Sequence, residues 1–140
     1  MSRRDAQRLT GGRAQSRARE RASALRDEVH RVASMARALG LASLAAVVIR
    51  MGEQLESALR AGDIGPRDRQ WLRRCSEQCC AYLRDMQDVT VVDALLERLS
   101  AASALSAAER LNLLRGLLAE GAAASHERSA SGCGPGRLRP

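Results

Sequence analysis

The chain has 140 residues with 45% hydrophobic content, and 23 cationic against 16 acidic side chains give a net charge of +7. This length and apolar content suit one domain with one core. The apolar residues are mainly Leu, Ala, Val and Met, while Trp71 and Tyr82 are the only aromatic residues, a composition that favours helices and argues against a β-sheet protein.

The positive charge is concentrated near the N-terminus, and every cation is Arg. Residues 1–31 carry nine Arg against four acidic residues. Such a segment could meet nucleic acid or another acidic surface. An Arg- and Ala-rich composition without Lys is also typical of a GC-rich genome. This simpler explanation is preferred, so nucleic acid is not the expected partner.

Membrane insertion and secretion are not expected. The longest strongly apolar run, residues 41–49, is far shorter than the ~20 residues that a membrane-spanning helix needs. The N-terminus also lacks the apolar core of a signal peptide. We therefore expect a cytoplasmic protein whose four cysteines are reduced thiols. They are Cys75, Cys79, Cys80 and Cys133.

The first half of the chain predicts a disordered arm and a helical hairpin. Residues 1–18 contain a Gly pair and no sustained periodicity, which indicates the arm. The next segment repeats apolar residues at intervals of three and four and predicts a helix that ends at Gly40. A second helix follows and ends at Gly62, so the two form an antiparallel hairpin. The apolar stripe of the first helix is Ala22, Leu25, Val29, Val32, Ala36 and Leu39.

The second half predicts two or three further helices. Pro66 suits the first turn of one, since its missing N–H costs nothing there. Another begins near residues 88–90, and Ser106 opens the last, which Gly121 is expected to end. Residues 122–140 predict a disordered tail. The predicted fold is therefore all-α, an antiparallel four-helix bundle over residues 19–121 with a short fifth helix as an open alternative.

His30 is the candidate for chemistry, because the other histidine falls in the predicted tail. It follows the apolar stripe by about 100° of helical rotation, so it should flank the core and be exposed. Arg26 and Arg37 lie on the same flank, where guanidinium groups can stabilise an incoming phosphoryl group. Ala33 and Ser34 are small and leave room above the ring.

The segment around this histidine resembles the histidine-containing phosphotransfer (HPt) family, whose motif is H-x-L-K-G followed by a Gly ten residues after the His. Residues 55–63 also look like the family's L-E-x-x-x-R-x-G-D ending, displaced by about one turn. Ala33 stands in place of the usual Lys and Ser34 in place of the usual Gly, and the helix that precedes the His helix in most members is missing. The matching residues are His30, Val32, Gly40 and Leu44.

The resemblance implies an HPt-like bundle that carries a phosphoryl group in a two-component phosphorelay. His30 would accept the group from a receiver-domain Asp or a histidine kinase and pass it to another receiver domain, without an independent catalytic site. Gly40 would be structural, and no metal or other cofactor is implied in this chain. The residues that would stabilise phosphate or dock the partner are Arg26, Arg31, Ser34 and Arg37.

Two alternatives stay open. One is an HPt-like interaction module that has lost phosphotransfer, which Ala33 and Ser34 support. The other is an Arg-rich helical protein that binds nucleic acid, although the lack of aromatic stacking residues argues against binding of single strands. A homodimer is also open, because a bundle without its first helix could be completed by a neighbour's helix.

Overall fold

The computed structural model describes the backbone of residues 3–137 and the side chains of residues 12–127. The described residues form five α-helices and no strands, which confirms the predicted all-α fold. The fifth helix is 31 residues long, so it is not a short addition. The helices are α1 (Arg3–Ala38), α2 (Ala42–Ala61), α3 (Pro66–Arg84), α4 (Val89–Ala102) and α5 (Ala107–Arg137).

The turn between α1 and α2 is closed by Gly40, as predicted. Its φ of 79° is left-handed, a conformation that glycine adopts without strain. The Gly40 N–H donates to the Arg37 carbonyl at 3.0 Å, and the Leu41 N–H donates to the Ala36 carbonyl at 2.8 Å. These two bonds form a Schellman motif, which satisfies carbonyls at the end of α1 and reverses the chain into α2.

Local capping also sets the starts of the later helices. Pro66 is the first residue of α3. The Asp88 carboxylate accepts a hydrogen bond of 2.9 Å from the Thr90 N–H at the start of α4. The Ser106 hydroxyl accepts one of 3.1 Å from the Glu109 N–H at the start of α5. Each side chain satisfies a backbone donor that the first helical turn leaves without a partner.

Helices α1 and α5 extend further than the sequence predicts. Helical backbone covers residues 3–18 and 122–137, segments whose composition predicts disorder, while residues 1–2 and 138–140 lie outside the described chain. Gly121 does not end α5. It packs against the α3–α4 connection, where a Cβ atom on Gly121 would lie 2.1 Å from the Met86 carbonyl oxygen. Its role is close packing rather than termination.

Helices α2 to α5 share the main core. The α4 leucines Leu95, Leu96 and Leu99 are fully buried, and Trp71 donates its indole N–H to the Arg98 carbonyl at 2.6 Å, which ties α3 to α4. The amphipathic faces predicted for these helices meet in this core. Its buried members are Leu44, Val47, Met51, Leu55, Trp71, Cys75, Tyr82, Met86, Val92, Leu95, Leu96, Leu99 and Leu117.

Among the described helices, α1 packs on α2 alone. The two run antiparallel, since the Arg21 guanidinium meets the Asp63 carboxylate at 3.1 Å just beyond the end of α2. Their interface is built from small residues, with Ala33 and Ala45 fully buried against each other's helix. Small side chains let the two backbones approach closely and leave α1 as an outer layer on the bundle.

The predicted apolar stripe of α1 is therefore only partly correct. The small Ala33, which is not in the predicted stripe, faces α2. Val32 and Leu39, which belong to the predicted stripe, are 40% and 76% exposed. Met35, which lies between them, is 62% exposed. Close approach of the two helices selects small side chains for the interface, so the larger apolar residues are turned outward.

Candidate functional site

His30 is exposed and lies near the middle of the α1–α2 hairpin. The position of His30 along the hairpin is fixed by the preceding residue, because the Val29 side chain packs against Gly52 of α2. His30 is the next residue along α1 and Glu53 the next along α2, and because the helices run antiparallel the two are offset by roughly 3 Å along the axis. The predicted exposed flank position of His30 is confirmed, and the ring is open to an approaching partner.

A carboxylate of α2 lies close to this histidine. The Glu56 side chain pairs with Arg26 and, at 2.6 Å, with Arg60. The hydrogen bond from Arg26 is the main reason that the pKa of Glu56 lies below its ordinary value, and the charges of Arg60 and His30 add to that effect. Glu56 is thus an anion next to His30 that the sequence reading did not anticipate.

Two of the predicted cations are already engaged. The bond to Glu56 raises the pKa of Arg26 above its ordinary value and holds that guanidinium against α2. Arg31, which lies about 100° around α1 from His30, pairs with Glu28. The carboxylate partner of each guanidinium partly neutralises the charge that it would present to an incoming phosphoryl group.

Arg37 and Ser34 remain beside His30. Ser34 follows His30 by one turn and Arg37 by two turns on the same flank, and both are exposed. Among the side chains described, no carboxylate forms an ion pair with Arg37. Ser34 leaves space next to the ring, as predicted, whereas Ala33 is fully buried against α2 and cannot line that space.

Arg37 also borders an open groove between α1 and α5. The groove has a volume of about 340 Å³, and α2 forms its floor. Arg50 crosses it by pairing with Glu109 of α5, so the wall opposite Arg37 is already neutralised. The groove is lined by Arg37, Ala46, Ile49, Arg50, Glu53, Glu109, Asn112 and Leu113. Sequence reasoning missed it, because no local pattern shows that α5 returns beside α2.

The exposed apolar side chains of α1 lie on its other side. Val32, Met35 and Leu39 are about 140–180° around the helix from His30. These exposed apolar residues therefore do not surround the histidine. His30 lies on a polar flank with Glu53, Glu56 and Arg37, while the apolar side of α1 faces away from it.

The three described cysteines are free thiols that differ in burial: Cys75 is buried, Cys79 is partly buried and Cys80 is exposed. Burial raises the pKa of Cys75 to about 11 and that of Cys79 to about 12, so both are neutral thiols at physiological pH. The described residues contain no cluster of His, Cys, Asp or Glu that could hold a metal ion. None of the five helices, over the residues that the structure describes, has an apolar stretch long enough to span a bilayer.

Comparison with known proteins gives no relative. No family model matches the chain, and no curated protein or solved structure is similar to it. The functional interpretation therefore rests on the residues around His30.

Proposed function

We propose that the protein is a phosphoryl carrier of the HPt type, with His30 as the phosphoacceptor for receiver domains. The observation that carries the proposal is the exposure of His30 on the flank of α1 that also presents Arg37 and borders the α1–α5 groove. The histidine is accessible to a partner's active site, and Arg37, which pairs with no carboxylate among the described side chains, lies on the same flank.

The surroundings of His30 suit the charge changes of the reaction. A lone pair on a ring nitrogen attacks phosphorus, the N–P bond forms, and the P–O bond to the donor aspartate breaks with its electrons on the departing carboxylate. The imidazole gains positive charge in this step. The carboxylate of Glu56, on the neighbouring helix, would offer a counter-charge for that state. Arg37 is placed to attract the phosphoryl oxygens.

The chain has no phosphate-binding loop, which fits a carrier that leaves catalysis to its partner. The receiver domain would supply the Mg²⁺ and the aspartate. The carrier then needs only an exposed nucleophile on a rigid support, and the close α1–α2 interface provides the support.

The direct test is phosphoryl transfer from a panel of labelled receiver domains to the full chain. We expect the wild type to take up an acid-labile, alkali-stable label, as a phosphoramidate does, and His30→Gln to take up none. His126→Gln is the matched control and should be labelled like the wild type. Because His30 is exposed, the variant should melt within a few degrees of the wild type. Labelling of His30→Gln would exclude this histidine.

A second candidate function is a docking module without phosphotransfer. It is favoured by the exposed apolar row of Val32, Met35 and Leu39, which a second copy of α1 could cover in a homodimer. Absence of label from every receiver, together with a dimer in sedimentation that Met35→Asp dissociates, would support this function over the carrier.

A further inference from the structure

The N-terminal part of α1 projects beyond the bundle. Arg21 meets Asp63, two residues past the end of α2, so the helical backbone of α2 ends near Arg21. Of α2, the Arg60 side chain reaches further and borders residues 15–19 of α1. Among the described helices, α1 contacts no helix other than α2. At 1.5 Å per residue the projection, residues 3–20 of α1, is roughly 27 Å long.

The projecting segment carries cations that are free of ion pairs. Arg13, Arg17 and Arg19 are exposed, and within the described side chains no carboxylate pairs with any of them. Glu20 is the only acidic residue in 12–21. Further along α1, Arg21, Arg26 and Arg31 pair with Asp63, Glu56 and Glu28, so the three arginines that follow the projection are neutralised while those of the projection are not.

These cations lie on two sides of the helix. Arg13 and Arg17 are one turn apart, about 6 Å along one side. Arg19 is about 160° around the helix from Arg17 and lines a hollow of about 430 Å³ with Gln15, Ala18 and Arg60. A helix with cations on opposite sides can meet two rows of anions at once.

The shape of the projection fits a DNA duplex. An α-helix is roughly 10–12 Å across with its side chains, and the major groove of B-DNA is about 12 Å wide with a phosphate row on each side. Further exposed arginines lie in the first half of α3, which begins at the end of the bundle from which α1 projects. Two lie on one side of α3 and two on the other; they are Arg67 with Arg74 and Arg69 with Arg73.

The same segment does not suit a lipid surface. Between residues 12 and 24 the only apolar side chains are alanines, so the helix has no apolar face to insert between headgroups. We propose that the projecting part of α1 binds double-stranded DNA through its backbone phosphates, with Arg13, Arg17 and Arg19 as contact residues. This binding is independent of phosphotransfer at His30.

The test is fluorescence anisotropy of a short labelled DNA duplex with the full chain over a series of salt concentrations. Each phosphate contact contributes about 0.9 to the slope of log K against log salt. The double variant Arg13→Gln, Arg17→Gln should therefore lower the slope by about 2 and weaken binding at low salt at least tenfold. Gln keeps a high helix propensity, which circular dichroism would verify.

The matched control is Arg84→Gln with Arg115→Gln, two exposed arginines outside the projection. It removes the same net charge and should change affinity less than threefold, as should His30→Gln. An unchanged salt slope in the Arg13, Arg17 variant would overturn the proposal. Equally tight binding of the wild type to an RNA duplex, to anionic phosphatidylserine vesicles or to polyglutamate at the same salt would overturn the assignment to DNA.

Discussion

Gly52 of α2 lies directly against Val29 of α1, and a Cβ atom on Gly52 would sit 2.6 Å from Val29 Cγ2 and 2.8 Å from Cγ1. The two helices are therefore as close here as a glycine allows. Since α1 packs on α2 alone, this contact fixes the helix that carries His30, one residue further along.

Gly52→Ala should loosen α1. Alanine has a helix propensity about 1 kcal/mol more favourable than that of glycine, but overpacking costs about 1–3 kcal/mol. The β-branched Val29 cannot rotate its side chain away from the added methyl group, because its χ1 angle is restricted in a helix. We expect a net loss in the free energy of unfolding, measured in urea. The double variant with Val29→Ala should recover most of it. Equal stability of Gly52→Ala and wild type would contradict the close contact.

Gly121→Ala should be more damaging, because the obstruction is backbone. The added Cβ would lie 2.1 Å from the Met86 carbonyl oxygen and 2.7 Å from its carbon, so α5 has to move away from the α3–α4 connection. We expect a loss of about 3 kcal/mol in urea unfolding. Gly12→Ala is the control, since nothing lies within 4 Å of that position, and it should raise helix content without loss of stability.

Tyr82 should resist ionisation while the chain is folded. It is fully buried and donates a hydrogen bond of 2.5 Å to the Leu117 carbonyl. Burial, with a further contribution from Glu120, raises its pKa from 10.0 to about 12. Because the folded pKa exceeds the unfolded one, Tyr82 stabilises the fold fully below pH 10, and this contribution is lost as the pH rises towards about 12.

The measurement for Tyr82 is phenolate absorbance during an alkaline titration, which reports on one residue because the chain has a single Tyr. In urea the same absorbance should rise with a midpoint near pH ~10. Tyr82→Phe should remove the hydrogen bond at a cost of roughly 1 kcal/mol. It should reduce the alkaline decline in stability without removing it, because Cys75 and Cys79 also have raised pKa values. A midpoint near pH ~10 in the folded chain would show that the hydroxyl is exposed.

Arg37 and Arg26 should differ in phosphotransfer. Arg37→Ala removes the cation of this flank that has no ion-pair partner among the described side chains, so transfer to His30 should slow about tenfold, as for loss of a charge-assisted contact worth ~1.4 kcal/mol. Arg26→Ala should have a smaller effect on the transfer rate, since Arg26 already pairs with Glu56. Labelling time courses with one receiver domain would measure both. A larger effect of Arg26→Ala would reverse these roles.

Local chemistry explains what the sequence predicts correctly. The turn at Gly40 and the helix starts at Pro66 and Asp88 depend on neighbouring residues, which a sequence displays. The choice of Ala33 over Val32 for the α1–α2 interface depends on how closely two helices approach. Gly121 has the composition of a helix stop, and only its contact with a distant loop makes it a packing residue. The groove beside His30 likewise depends on α5, far along the chain.

The pairing of helices also bears on how fast the chain folds. α1 with α2, α3 with α4, and α4 with α5 are neighbours in sequence, so most of the structure forms by local association. The exceptions are α2 with α4 and α2 with α5. In the second pair the Ser43 N–H donates to Glu120 across 77 positions at 2.6 Å. Because most helix pairs are local, we expect folding in about microseconds to milliseconds. Closure of the loop between Ser43 and Glu120 costs the most chain entropy, so we expect this step to limit the rate.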